Sequence, residues 1–80
     1  MTESEVFSTV KDLVVEKLGI KADKVTMDAN LRKDLGADSL DSYELVYSLE
    51  ESLGVTISDD MANEFETVGD AVRYLVKELN

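Results

Sequence analysis

Apolar residues recur at three- and four-residue steps along most of this chain, the spacing of helices that bury one face. Val6, Phe7, Val10, Leu13, Val14 and Leu18 make the first series. Thr2 and Glu5 stand in capping-box register at its head, and Gly19 offers a left-handed stop. Together they predict a helix over about 3–18. Leu45, Val46, Leu49 and Leu53 make a second core-facing stripe, on a helix over 39–53 that Gly54 ends. Its other faces carry Asp41, Glu44, Glu50 and Glu51, with Tyr43 and Tyr47 four residues apart on a neighbouring strip. Ser58 can cap a short third helix reaching Glu64. Thr67 with Asp70 repeats the capping box and opens a final helix bearing Val68, Ala71, Val72, Leu75, Val76 and Leu79 on one side.

Residues 20–37 join the first two helices as a long connection pinned by single apolar anchors at Ile20, Val25, Leu31 and Leu35. Loops beyond about 12–15 residues are uncommon in compact domains and are often functional. Val55-Thr56-Ile57 could extend, but no partner strand exists for it. The expected fold is all-α, a four-helix bundle of three longer helices and one short helix, with a long loop between the first and second. Its 80 residues suffice for one domain spanning 1–80.

Composition narrows the chemistry. The chain has no Cys and no His, so it has no disulfide, no zinc–thiolate set and no neutral-pH imidazole base. Ser39 therefore has no His to activate it as a nucleophile. The pair Asp38 and Asp41 reads better as solvated carboxylates at a helix start than as an acid–base couple. The segment Asp34-Leu35-Gly36-Ala37-Asp38 lacks the ligand spacing of a calcium loop. No apolar run of about 18 residues could span a bilayer. The acidic N-terminus is unlike a secretory signal, so a cytoplasmic location is expected.

Eighteen acids against eight bases give a net charge of -10. That balance argues against nucleic acid or a stable membrane surface as partner. All the bases fall in 11–33 and 73–77, while 34–72 holds eleven acids and no base. Such a run can simply be solvated surface, or it can steer partners that bear basic patches.

Within it, Leu35-Gly36-Ala37-Asp38-Ser39-Leu40-Asp41 sets a hydroxyl on the first turn of a helix. Either Asp38 or Ser39 could be an N-cap. Alternatively the Ser39 hydroxyl is an exposed point of attachment for a phosphodiester, whose anion would sit at the positive end of the helix.

The run Asp34-Leu35-Gly36-Ala37-Asp38-Ser39-Leu40-Asp41, continued by Glu44-Leu45-Val46, resembles the phosphopantetheine attachment motif of acyl carrier proteins of the type II fatty-acid-synthesis kind. The likeness extends over nearly the whole chain, through Leu18-Gly19-Ile20, Val25-Thr26, Leu49-Glu50-Glu51, Ile57-Ser58-Asp59-Asp60 and Thr67-Val68. It implies a single acyl-carrier domain, not an enzyme, that carries acyl groups as thioesters on 4'-phosphopantetheine, a covalent cofactor taken from coenzyme A and attached to Ser39. Asp38 would assist attachment by helping to position a magnesium ion shared with the transferase, with no resident metal.

The same resemblance assigns an acyl pocket to Leu31, Leu49, Ile57, Ala62, Phe65, Ala71 and Tyr74, and partner docking to Asp41, Tyr43, Glu44, Tyr47, Glu50 and Glu51. The implied partners are a phosphopantetheinyl transferase and acyl-transfer and chain-elongation enzymes with basic patches, met by a monomer. Tyr43 and Tyr47 replace smaller apolar residues of the family, Phe65 replaces an aliphatic one and Ser58 a frequent Pro. Other cargoes (polyketide, aminoacyl or D-alanyl groups) are the alternative within the family. A purely acidic interaction module without a prosthetic group is the alternative outside it.

Overall fold

The computed structural model describes residues 1–80. Four α-helices follow one another: α1 (Glu3–Leu18), α2 (Ser39–Leu53), α3 (Asp59–Glu64) and α4 (Val68–Leu79). They meet the limits expected from the sequence, because the side chains that satisfy their free amides are where the pattern put them. Thr2 with Glu5 and Thr67 with Asp70 form complete capping boxes, and Ser58 accepts from the Met61 amide. Gly19 and Gly54 close α1 and α2 in the left-handed conformation, which costs a residue without a Cβ little.

The core is built around α1, which packs on both α2 and α4. Val6, Val10 and Val14 of α1 meet Leu45 and Leu49 of α2 and Val68, Val72 and Leu75 of α4. The short α3 has no buried residue and packs on α2 alone. The stretch 55–57 is extended without a strand partner, and Ile57 is buried there with its amide donating to a Glu50 carboxylate oxygen at 3.2 Å.

The long connection is more ordered than its sequence announces. It contains a single 3-10 turn at Ala22–Lys24, and Val25, Ala29, Leu35 and Ala37 are buried. Between them the loop lies against the start of α4. The Leu31 amide donates to the Glu66 carbonyl at 2.9 Å, Val68 to Ala29 at 3.0 Å and Gly69 to Met27 at 2.8 Å. Asn30 and Thr67 form an isolated antiparallel bridge at the centre of this contact. Two first-turn amides of α4 are thus satisfied by loop carbonyls, a use of the backbone that needs no particular side chain.

Candidate functional site

The approach to Ser39 is a closed turn. The Asn30 side-chain oxygen accepts from the amides of Arg32 (3.0 Å) and Lys33 (2.9 Å), and the Asp34 carboxylate accepts from the Asn30 amide at 2.7 Å. The amides of Asp34 and Leu35 return to the Asn30 carbonyl, and that of Ala37 to the Leu31 carbonyl at 2.8 Å. Gly36, with φ 75°, makes the reversal that lets Leu35 and Ala37 both point inward. The turn therefore delivers Asp38 and Ser39 to one fixed place.

Asp38 is the cap of α2. One of its carboxylate oxygens accepts from the Asp41 amide at 2.8 Å, and the Asp41 carboxylate accepts from the Asp38 amide at 3.2 Å. The Ser42 hydroxyl donates to the Asp38 carbonyl at 3.0 Å. Ser39, the first residue of the helix, is exposed and takes no part in this capping. Its hydroxyl is therefore presented to solvent rather than spent on the helix end.

Two voids flank it. An open groove of about 410 Å³ runs from Ser39 between the turn at Asn30–Lys33 and the segment around Ala62–Glu66, with Tyr43 on its α2 side. Behind the groove lies an apolar cavity of about 30 Å³ among α1, α2 and α4, bordered also by Ala62 of α3. Leu31, Ser42, Ala62 and Phe65 line both voids and so form the partition between them. The Phe65 ring is half-buried and tilts against Tyr74, with centroids 5.6 Å apart and planes at 52°.

Of the pocket residues expected from the sequence, Leu31, Leu49, Ala62, Phe65 and Ala71 line the cavity. Ile57 and Tyr74 do not: Ile57 is held in the core beyond it, and Tyr74 backs the Phe65 ring. Val10, Val14, Leu45, Val46 and Val68 line it too. Sequence periodicity marks these five as core, and nothing in periodicity separates a core side chain from one that borders a void.

On α2, Tyr43, Glu44, Tyr47 and Glu51 are exposed, and with Leu40 they make an apolar strip edged by carboxylates. The neighbouring Glu51 carboxylate, as hydrogen-bond acceptor and as a charge, holds the Tyr47 hydroxyl protonated above the ordinary phenol range. Asp41 and Glu50 are half-buried and turned inward, to the Asp38 and Ile57 amides.

Comparison with known proteins bears on this arrangement. Residues 8–75 match the family described as the phosphopantetheine attachment site. A protein of Treponema denticola named acyl carrier protein is 55% identical over 71 residues, which cover 89% of this chain and 91% of that one. The protein of the same name from Treponema pallidum is 54% identical over the same shares. The solved structure of the acyl carrier protein from Enterococcus faecalis superposes with a TM-score of 0.82 at 42% identity, over 98% of this chain and 99% of that one.

Proposed function

Because the chain belongs to the acyl carrier protein family, a family of carriers rather than catalysts, we propose that Ser39 is its point of attachment for phosphopantetheine and that the loaded chain serves fatty acid synthesis. One observation carries the assignment to Ser39: the hydroxyl is exposed at the mouth of a groove, while its neighbour Asp38 meets the capping needs of the helix. The residues around it suit such a group. The groove is of the size that small-molecule sites have, and the void beyond it is walled almost wholly by apolar side chains.

When attached, the arm supplies a terminal thiol that carries acyl groups as thioesters, which a chain without cysteine cannot supply itself. Its own residues do the rest. Asp38 assists attachment. Phe65 and its neighbours part to admit the acyl tail, each buried methylene contributing about 0.8 kcal/mol less the cost of displacing packed side chains. The strip of Tyr43, Glu44, Tyr47 and Glu51 receives the transferase and the elongation enzymes through their basic patches, while Asp41 and Glu50, bonded to the Asp38 and Ile57 amides, add their charge to it from its edge. We take residues 1–80 as one carrier domain, monomeric and cytoplasmic. No helix is long and apolar enough to cross a membrane.

The test is intact mass after incubation with a phosphopantetheinyl transferase and coenzyme A. One arm should be gained per chain, and none by Ser39→Ala. An equal gain by the variant would move the attachment elsewhere and sink the assignment.

A further inference from the structure

We propose that Arg32 and Lys33 form an anion clamp that holds the phosphodiester of the attached arm in the groove beside Ser39. The inference rests on the reading of Ser39 as the attachment point and adds to it a binding role for two residues of the preceding turn.

The phosphodiester would meet a strongly negative surround. Ser39 is flanked on its own helical turn by the carboxylates of Asp38 and Asp41, and Glu66 lines the far side of the groove. From Asp34 to Val72 no basic residue offsets them. An anion fixed at Ser39 gains from the positive end of α2 but meets carboxylates on several sides, which only a cation from outside that run can offset. Arg32 and Lys33 are the cations that line the groove. Neither is committed elsewhere: the single ion pair of the molecule joins Arg73 to Asp70 at 3.1 Å. What sets these two apart from the unpaired lysines elsewhere in the chain is place: they are adjacent and line the same groove as Ser39.

Their placement is fixed although their side chains are exposed. Both backbone amides donate to Asn30, and the turn is closed onto Ala37, two residues before Ser39. The backbone that carries the clamp is thus held in place whether or not the arm is present, so that on loading only the two side chains have to be ordered. The two side chains also divide the work. A guanidinium can offer paired donors to two phosphate oxygens, and an ammonium adds a compact charge. Further along, Asn30 and Asn63 bring amide groups to the groove and Tyr43 and Phe65 bring apolar surface, which suits an arm of alternating amides and short alkyl links.

The experiment compares apo and loaded forms of the parent and of the double variant Arg32→Gln, Lys33→Gln, with loading verified by intact mass and driven by excess transferase. Phosphorus NMR of the loaded chains should show the resonance displaced, and its motion faster, in the variant. The change in melting temperature on loading should be about 2–8 °C less favourable in the variant than in the parent, and the difference should shrink at high salt. The apo forms should melt alike, because both side chains are exposed. An identical phosphorus signal and an identical response to loading would overturn the clamp while leaving Ser39 loaded. Failure of the parent itself to gain mass would remove the attachment reading instead. If inorganic phosphate raised the melting temperature of the apo parent, but not of the variant, by as much as loading does, the pair would be a site for free anions and the proposal would fall.

Discussion

Asp38 and Ser39 could each have capped α2, and the structure gives that task to Asp38. The carboxylate caps the helix, and the hydroxyl is left exposed. Asp38→Asn separates the cap from the charge, because Asn caps about as well as Asp. Its stability should stay within about 0.5 kcal/mol of the parent, whereas Asp38→Ala should lose about 0.5–2 kcal/mol. If the carboxylate assists attachment, both variants should load slowly. Rapid loading of Asp38→Asn, followed by intact mass over time, would leave Asp38 a cap and nothing more. Asp70 is the other carboxylate with a heavy commitment. Backbone donors from Thr67 and Glu66, with Arg73 beside them, hold its pKa below the usual value. A depressed folded pKa means stability that is present above the unfolded value near 3.9 and is lost as pH falls through the folded one. Asp70→Asn should therefore be destabilised at neutral pH and show a flatter acid limb below about pH 4, as acid titration followed by circular dichroism would record.

At the scale of elements, the contact between residues 27–31 and 66–69 does what side chains do elsewhere. It also reverses an expectation about Gly69. Gly69 is the second residue of α4, where helix propensity would favour Ala by at most the ~1 kcal/mol it is worth in a helix interior. A Cβ at Gly69, however, would stand 2.8 Å from the Met27 carbonyl oxygen and 3.0 Å from an Arg73 guanidinium nitrogen. The carbonyl is backbone and already accepts the Gly69 amide. Gly69→Ala should thus lose about 1–3 kcal/mol in denaturant unfolding despite its better propensity; a gain would show that the loop gives way easily. This contact also marks the limit of what the sequence discloses. Helix ends were legible because Thr2, Ser58 and Thr67 cap with side chains and Gly19 and Gly54 stop with a conformation. The seating of the loop was not, because hydrogen bonds between main-chain groups of Met27, Ala29, Leu31, Glu66, Val68 and Gly69 leave no mark in residue type. Ala29 and Ala37 are buried without belonging to any periodic stripe. At the site, the place of Ser39 on the first turn of a helix was legible from the residues around it, while the commitment of Glu50 to Ile57 and the part of Val10 and Val14 in the cavity wall depend on tertiary neighbours.

For the whole molecule, the small size of the cavity bears on how an acyl tail would be held if the pocket receives it as proposed. With about 30 Å³ open, an acyl tail entering there would have to displace side chains, and Phe65 stands in the partition on its way. Because the ring is half-buried, Phe65→Ala should cost the empty protein about 2–3 kcal/mol, below the usual range for a wholly buried ring. Part of this should return when a long chain fills the space. Melting temperatures across a series of acyl lengths should level off early in the parent and continue to rise in the variant. A steady rise in the parent would show that the ring is no barrier.

The bonds that join Leu31 to Glu66 and Met27 to Gly69 also tie the chain into a ring, with α2 and α3 strung between the tied points. Closing such a ring costs entropy that grows only slowly with its length, and the cost is met once, when α4 docks on α1. Thereafter α3, which among the helices packs on α2 alone, can lift away without undoing the tie. Amide hydrogen exchange should then separate two populations. The Leu31, Val68 and Gly69 amides should exchange only as slowly as the whole bundle unfolds, and the α3 amides much faster, through a partial opening. Equal protection in both would mean that α3 and the tied ends open only together.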